Sequence, residues 1–288
     1  MPEIAFHRPD TVEAAVSLLA GHAGSRCIAG GQTLVAMLNA GLLEAPVLIA
    51  VAGIAELNSI SFRPKGTVRI GAAVSHRRVA VARELGGSSA VIREAARVIA
   101  HPAIRNFGTI GGALAHADPA ADYPAAVVAA GASIEIAGRN GRRTLPAQEF
   151  FLDYLTTVLE PGEMVTAVLV PDAKAGAAGH YLKFSRVDGD YAIVSIAVTL
   201  ESEAGICSKA SIALGGCGPK PVFDARANSI LLGTKCETGI IGEAADILIE
   251  MSDPIDDVRA SANYRRALIP RLLPRAIRQA WCQIGPSP

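Results

Sequence analysis

The organisation of this chain depends on one stretch, Arg105-Asn106-Phe107-Gly108-Thr109-Ile110-Gly111-Gly112-Ala113-Leu114-Ala115-His116-Ala117-Asp118-Pro119-Ala120-Ala121-Asp122. It combines three glycines with ionisable and small side chains. Its helical and strand periodicities are both weak, which predicts a loop. A Gly-Gly pair lets the backbone approach a ligand closely and can direct successive N–H groups at an anion. The stretch therefore predicts one half of a nucleotide-cofactor site.

The same stretch also has a purely structural interpretation. Asp118 and Pro119 suit the N-cap and first position of a helix, so a capped turn remains open. His116 has no nucleophile or second ligand beside it in the sequence, which favours a hydrogen-bonded structural role. On the cofactor interpretation, Thr109 offers a hydroxyl and an N–H to phosphate. The Asp122 carboxylate then accepts hydrogen bonds from ribose or ribityl hydroxyls.

A second glycine turn lies upstream, at Ala29-Gly30-Gly31-Gln32-Thr33. It falls between a predicted strand and a predicted helix, where free N–H groups and the helix dipole favour an anion. The turn is not G-x-G-x-x-G, so it does not indicate a Rossmann fold, and an ordinary structural turn remains open. Asp10 is predicted to cap the first helix. The pattern indicates an α/β unit with parallel strands, made of strands at 4–7, 26–29 and 47–51 and helices at 12–20 and 33–40.

The rest of the chain indicates an antiparallel middle and a helical end. Asn140-Gly141 between two strand-like runs predicts a hairpin. A small-residue linker is predicted at 172–179. Ser88 is predicted to cap a helix that Pro102 ends, with an inward face of Val91, Ala95, Val98 and Ile99. Strands are predicted at 68–71, 133–137, 143–145, 164–170, 180–185, 192–200 and 208–214. Helices are predicted at 75–82, 90–100, 123–130, 225–232, 239–251 and 261–282, the last interrupted by Pro270 and Pro274.

Composition excludes several classes of function. The chain has 288 residues with 27 Lys+Arg and 27 Asp+Glu, and this zero net charge argues against nucleic-acid binding. Its five cysteines form no C-x-x-C pair, which predicts thiols in a reducing cytoplasm and any metal centre on another chain. No signal peptide and no apolar run of spanning length appears, so a soluble protein is expected. A mean hydropathy of +0.33 suggests extensive burial, including burial against partner subunits.

A third run carries candidate chemistry: Tyr181-Leu182-Lys183-Phe184-Ser185-Arg186-Val187-Asp188-Gly189-Asp190-Tyr191-Ala192. Lys183 can stabilise negative charge on a reduced ring, and an aromatic side chain can stack on that ring. An ordinary solvated hairpin remains open. The sequence contains no hydrolytic or nucleotide-hydrolysing motif, so a redox cofactor would supply the reactivity.

Together these runs resemble the medium, FAD-binding subunit of the molybdenum hydroxylases, of the carbon monoxide dehydrogenase and xanthine dehydrogenase type. The two glycine turns and 117–122 resemble its FAD-pyrophosphate motifs, and Ala262-Asn263-Tyr264-Arg265-Arg266-Ala267-Leu268 also fits. The resemblance covers nearly the whole chain. It departs at Ala113, where some relatives have Asn or Ser, and at Pro270 and Pro274, since the last helix is more regular in relatives.

The resemblance implies an α+β chain with a vanillyl-alcohol-oxidase-like (PCMH-type) FAD fold. The expected subdomains are 1–56 and 57–174, followed by a C-terminal domain, 175–288, with a three-stranded antiparallel sheet and helices. The implied partners are a large molybdopterin subunit and a small subunit with two 2Fe-2S clusters, in a dimer of heterotrimers. The implied role is electron relay through FAD to an external acceptor, in the cytoplasm or at the inner face of the membrane through the complex.

The resemblance also implies roles for individual residues. Ala29–Thr33 and Thr109–Ala113 would hold the pyrophosphate, and Val165 would pack near the adenine or the ring system. Lys183 would reach the pyrimidine edge of the flavin and Tyr191 would lie over the isoalloxazine, which makes these two the catalytic candidates. The full set of expected cofactor-binding residues is Ile28, Ala29, Gly30, Gly31, Gln32, Thr33, Leu34, Gly108, Thr109, Ile110, Gly111, Gly112, Ala113, His116, Asp122, Val165, Lys183 and Tyr191.

Two other functions remain open. One is a stand-alone FAD-dependent oxidase or reductase with its own substrate site, against which the lack of a convincing acid/base pair counts. The other is a binding module without redox turnover, against which the intact glycines, Lys183 and Tyr191 count. The sequence determines neither the substrate of the whole enzyme nor the terminal acceptor, which is a quinone, a cytochrome, oxygen or NAD.

Replacing Gly111 or Gly112 by valine is expected to abolish FAD binding, because a Cβ would occupy the phosphate site. The measurement is the flavin absorbance of the purified variants. A folded variant that keeps the full flavin spectrum would contradict the pyrophosphate assignment.

Overall fold

A computed structural model describes residues 4–63, 66–171, 174 and 176–284 of the chain. Three main sheets follow one another along the sequence, and each carries its own helices, as expected for an α+β chain. The described part contains no helix that is long and apolar enough to cross a membrane. All five cysteines have free thiols.

The first sheet is parallel, as predicted. Its elements are β1 Ala5–His7, α1 Val12–Gly21, β2 Arg26–Ile28, α2 Leu34–Asn39 and β3 Val47–Ala50, with β3 at the centre of the sheet. The predicted cap Asp10 is wrong. Thr11 caps α1, because it directly precedes the first helical turn and its hydroxyl accepts a hydrogen bond from the Ala14 N–H at 3.1 Å.

The second sheet is antiparallel, also as predicted, and it has five strands, of which the sequence predicted four and missed Ile60–Arg63. The elements of this part are β4 Ile60–Arg63, β5 Thr67–Gly71, α3 His76–Ala80, α4 Ala90–Val98, α5 Pro102–Phe107, α6 Ile110–His116, α7 Asp122–Ala129, β6 Ser133–Gly138, β7 Gly141–Pro146, α8 Ala147–Phe150, β8 Phe151–Asp153, β9 Thr156–Thr157 and β10 Met164–Val170. The predicted Asn-Gly hairpin joins β6 to β7. The strand order is β4-β5-β10-β6-β7, so β10 inserts between β5 and β6. It therefore lies next to the segment after β5 that contacts the glycine-rich stretch.

Helices replace the loop predicted for the glycine-rich stretch, since α5 ends within it and α6 lies wholly within it. The helix start predicted at Asp118 and Pro119 is wrong, because α7 begins at Asp122 with Ala121 as its N-cap residue. The Asp118 carboxylate instead accepts a hydrogen bond from the Ala120 N–H at 2.8 Å, which stabilises a local turn.

Helix α4 differs from the prediction at both ends. Ser89 precedes it in place of Ser88, because a 3₁₀ turn at Gly87–Ser89 leads into the helix. Val98, predicted to face inward, lies in the last turn and is 37% exposed. Pro102 starts α5 and does not end α4, since a proline loses no hydrogen bond in the first turn of a helix.

The third sheet is antiparallel with the order β11-β12-β13, as predicted. This part contains β11 Ala177–Phe184, β12 Val194–Glu203, β13 Ile206–Gly215, α9 Ala225–Ser229, α10 Thr238–Glu250 and α11 Ala262–Ile284. The linker predicted at 172–179 is wrong at its end, because 177–179 already pair with β12. Residues 172, 173 and 175 of that linker lie outside the described residues.

Helix α11 is one uninterrupted helix, so the break predicted at Pro270 and Pro274 is wrong. Each proline removes a backbone hydrogen bond and strains the preceding turn. The helix nevertheless buries an apolar face along its length, and this tertiary packing outweighs the local cost. The buried residues of that face include Leu268, Ile269, Leu272, Leu273, Ala276, Ile277 and Ala280.

Both faces of the third sheet are buried. Side chains alternate along each strand, so Tyr181 and Ala197 pack into the core shared with the second sheet, against α4 and α7. Ile196 and Ile212 face the opposite way and pack in a second core with α10 and α11. Two side chains of β11, those of Tyr181 and Lys183, reach Asp122 at the start of α7.

A buried ion pair connects the strands on either side of β10. The Arg69 Nη2 atom of β5 lies 2.9 Å from the Glu135 Oε1 atom of β6, and both side chains are nearly inaccessible to solvent. Thr166 of β10 donates its hydroxyl to the same oxygen at 2.8 Å. Burial raises the pKa of Glu135, but hydrogen bonds from Arg69 and Thr166 outweigh it, so that pKa lies below its usual range.

Arg69→Met is expected to lower the free energy of unfolding by about 3 kcal/mol, because the buried Glu135 loses its main cationic partner. Arg63→Met is the matched control, since Arg63 pairs with the same carboxylate but is half-exposed. Its cost is expected to stay below about 1 kcal/mol. Urea unfolding followed by circular dichroism measures both, and equal costs would contradict the assignment.

The pH dependence follows from the lowered pKa of Glu135. The ionised Glu135 carboxylate makes its full contribution to the free energy of unfolding above the unfolded-state pKa of about 4.3. This contribution is lost as the pH falls through the folded-state pKa. In Arg69→Met this loss is expected at higher pH than in the unsubstituted protein.

Candidate cofactor site

A cleft of about 980 Å³ lies between the first and second sheets and reaches the turn after β11. Both glycine turns line it, together with 159–165 from the approach to β10 and Gly189–Tyr191 from the third run. All residues expected to bind the cofactor line this cleft except Ile110 and Lys183. The volume is at the upper end of the range for ligand sites, which suits a dinucleotide.

The first glycine turn supplies free amide donors. Gly31 has a φ of +69°, which a glycine adopts without strain, and the chain turns there from β2 into α2. Among the described residues, none accepts a hydrogen bond from the backbone N–H of Gln32, Thr33 or Leu34. The Gln32 side chain folds back and donates to the Gly30 carbonyl at 3.0 Å. Unpaired N–H groups at a helix start bind anions, so this turn suits a phosphate.

The second glycine turn uses its amides differently. The N–H groups of Ile110 and Gly111 donate to the carbonyls of Val74 and Ala72, at 3.1 and 2.9 Å. The Thr109 hydroxyl accepts a hydrogen bond from the Gly112 N–H at 3.2 Å and caps α6. The prediction that this turn offers successive free N–H groups is therefore wrong for Ile110 and Gly111. Their N–H groups donate to carbonyls of the segment after β5.

Close backbone contacts bring the two glycine turns together. A Cβ on Gly30 would overlap the carbonyl oxygen of Phe107 and lie 2.8 Å from the Cα of Gly108. A Cβ on Gly111 would overlap the Ala72 side chain. Gly111→Val is therefore expected to abolish FAD binding because it would displace helix α6, and not because a Cβ would occupy the phosphate site. A Cβ on Gly112 would lie 3.0 Å from the Thr109 Oγ1 atom.

Asp122 lines the cleft at the start of α7 and is held from the third sheet. The Tyr181 hydroxyl donates to Asp122 Oδ1 at 2.8 Å, and Lys183 Nζ lies 3.2 Å from Asp122 Oδ2. Lys183 also donates to the Val98 carbonyl at 2.6 Å. Burial raises the pKa of Asp122, while the Lys183 charge and the Tyr181 hydrogen bond oppose that rise.

Two further residues of the cleft wall were missed from the sequence. His76 and Tyr123 are buried, and their ring centroids lie 5.3 Å apart. Burial, aided by the charge of Arg105, lowers the pKa of His76 to about 4, so its imidazole is neutral. Among the described residues, neither His76 Nδ1 nor the Tyr123 hydroxyl has a hydrogen-bond partner. Both atoms are closed off from solvent, so within the described part of the chain they are buried polar groups without a partner, and they are not exposed to a ligand in the cleft.

Tyr191 stands at the far end of the cleft, 40% exposed. The Arg259 guanidinium lies over its ring, 5.1 Å from the centroid, which fixes the aromatic plane at the opening. Burial raises the pKa of Tyr191, and the nearby Asp118 carboxylate adds to the rise. Val165 of β10 is buried in the opposite wall.

Two family models match this chain. Residues 2–173 match the FAD binding domain in molybdopterin dehydrogenase, and residues 179–280 match the CO dehydrogenase flavoprotein C-terminal domain. The chain therefore belongs to the FAD-binding medium subunits of the molybdenum hydroxylase family. It is a subunit of an oxidoreductase, and FAD is its cofactor.

Relatives and solved structures agree with this family. The chain is 35% identical over 285 residues to the carbon monoxide dehydrogenase medium chain of Hydrogenophaga pseudoflava, covering 98% of each. It is 35% identical over 289 residues to the 6-hydroxypseudooxynicotine dehydrogenase complex subunit alpha of Paenarthrobacter nicotinovorans, covering 99% of this chain and 97% of the relative. The structure of carbon monoxide dehydrogenase from Hydrogenophaga pseudoflava matches with a TM-score of 0.94 and 34% identity, over 99% of each chain.

Gly30→Ala is expected to destabilise the protein and to remove bound flavin, because its Cβ would overlap the Phe107 carbonyl and push the two glycine turns apart. Gly53→Ala is the matched control, since a Cβ there meets nothing within 4 Å. The control is expected to change stability by less than about 0.5 kcal/mol. Thermal unfolding and the flavin-to-protein absorbance ratio measure both effects, and a Gly30→Ala protein with full flavin content would refute this account.

Proposed function

We propose that this chain is the electron-relay subunit of a molybdenum hydroxylase. It would receive electrons from 2Fe-2S clusters on a partner subunit and pass them, through the FAD in its cleft, to an external acceptor. The observation that carries the proposal is the convergence of both glycine turns, Asp122 and Tyr191 on one cleft. Bound FAD supplies the acceptance and release of electrons, and the protein supplies binding and orientation.

The cleft suggests a division of roles among its residues. The unpaired amides of Gln32, Thr33 and Leu34 suit the pyrophosphate. On the facing turn, the Thr109 hydroxyl accepts from the Gly112 N–H and keeps its own proton to donate to a phosphate oxygen. Asp122 is placed to accept hydrogen bonds from cofactor hydroxyls. Val165 would pack near the adenine or the ring system, and Tyr191 would lie over the isoalloxazine.

The partners follow from the family. We propose a large subunit that carries molybdopterin, a small subunit that carries the 2Fe-2S clusters, and a dimer of heterotrimers. Relatives named as a medium chain and as a subunit of a complex support an assembly of several chains. Free thiols at all five cysteines support a reducing, cytoplasmic location. The three main sheets support the proposed division at 56/57 and 174/175.

The full chain expressed alone is expected to bind one FAD and to oxidise no substrate of the family, because the substrate site would lie on the molybdenum subunit. Flavin released by denaturation identifies the cofactor, and an artificial dye acceptor detects turnover. Adding the co-purified partner subunits is expected to restore dye reduction by substrate. Substrate oxidation by the pure single chain would favour a stand-alone FAD oxidase or reductase instead.

A further inference from the structure

Two side chains of β11 hold the Asp122 carboxylate by both of its oxygens. The Tyr181 hydroxyl bonds Oδ1 at 2.8 Å and the Lys183 ammonium bonds Oδ2 at 3.2 Å. The same ammonium donates to the Val98 carbonyl at the end of α4, at 2.6 Å. Lys183 thus joins three elements, α4, α7 and β11, at a point directly behind the cleft wall.

The strand register explains this placement. Tyr181 and Lys183 are two residues apart, so their side chains emerge on the same face of β11. That face packs against α4 and α7. The Lys183 and Asp122 side chains are 5% and 7% exposed, and Lys183 does not line the cleft whereas Asp122 does. Asp122 and Val98 thus take up two of the three donors of the Lys183 ammonium, and its side chain lies outside the cleft lining that a direct contact with the flavin, expected from the family, would need.

The titratable groups around Asp122 show that its ionised state depends on Lys183. The titratable groups that face Asp122 within the described structure are Lys183 and Tyr181 from β11, Tyr123 beside it on α7, and Tyr191 from the turn after β11. Lys183 is the one cation in this set. A buried carboxylate without a cation is costly and takes up a proton instead. Each carboxylate oxygen keeps a lone pair beyond the bond to β11, so Asp122 can still accept a hydrogen bond from the cleft.

We infer that Lys183 and Tyr181 are positioning residues, which keep Asp122 ionised and oriented toward the cleft, so that the third sheet sets the affinity of a site formed mainly by the first two. The inference rests on the proposed function, namely that FAD occupies this cleft. It assigns Lys183 an action through Asp122 and not through contact with the flavin.

The test is the FAD dissociation constant of apo-protein variants as a function of pH, measured by quenching of flavin fluorescence in the full chain. Lys183→Met removes the cation and keeps the stem. Its FAD affinity is expected to fall about tenfold for each pH unit below the raised pKa of Asp122, and to recover at higher pH. Lys183→Arg restores the cation and is expected to follow the unsubstituted profile. Tyr181→Phe removes a charge-assisted hydrogen bond to the ionised carboxylate but leaves the cation in place. A loss of roughly two- to tenfold is expected, with a smaller shift of the pH profile in the same direction as in Lys183→Met.

A second pair of variants separates indirect from direct action, and its double variant leaves no unpaired buried charge at this point. In the Asp122→Asn background, adding Lys183→Met is expected to leave FAD affinity and its pH profile unchanged. A further loss in the double variant would overturn the inference, because it would mean that Lys183 contacts the cofactor itself. An unsubstituted pH profile in folded Lys183→Met would overturn it as well. Failure of the unsubstituted chain to bind FAD would instead contradict the proposed function.

Discussion

The contact between Gly30 and the Phe107–Gly108 backbone is the constraint on which the cofactor site depends. The Phe107 carbonyl and the Gly108 Cα atom lie so close to Gly30 that no side chain fits at this position. The contact presses the turn after β2 against the turn before α6, although the two lie far apart in sequence. Both turns can therefore line one cleft between the first and second sheets. Close packing of this kind leaves no adaptable gap, so the site is preorganised by backbone and not by flexible side chains.

A second constraint comes from the third sheet, whose two faces are both buried. One face anchors a core with α10 and α11, and the other supports α4 and α7. Through Tyr181 and Lys183 this second face reaches the carboxylate of Asp122. The C-terminal part of the chain thus contributes to the cleft in two ways: Tyr191 at the opening, and a buried hydrogen-bond network behind the wall. Such networks fix a single geometry when every member is paired.

Local sequence signals predicted much of the architecture. Alternating and helical apolar patterns identified the parallel first sheet, four strands of the antiparallel second sheet, the three strands of the third and most helices. Two of the errors share one cause: a local propensity was outweighed by packing. The prolines at 270 and 274 lie inside a continuous helix because its apolar face is buried. Glycines that suggest a loop lie in α6, because Gly111 must approach Ala72 closely.

The sequence by itself determined the class of cofactor site. Such a site requires glycine turns, a carboxylate and an aromatic-rich turn, and all three can be recognised from residue types alone. The family to which these motifs belong followed from the same residues. Only the tertiary structure decided which groups are available to a ligand. Ile110 and Gly111 lose their amides to the segment after β5, while Gln32 to Leu34 keep theirs. Burial and hydrogen bonding between residues distant in sequence decide this, and no local pattern encodes it.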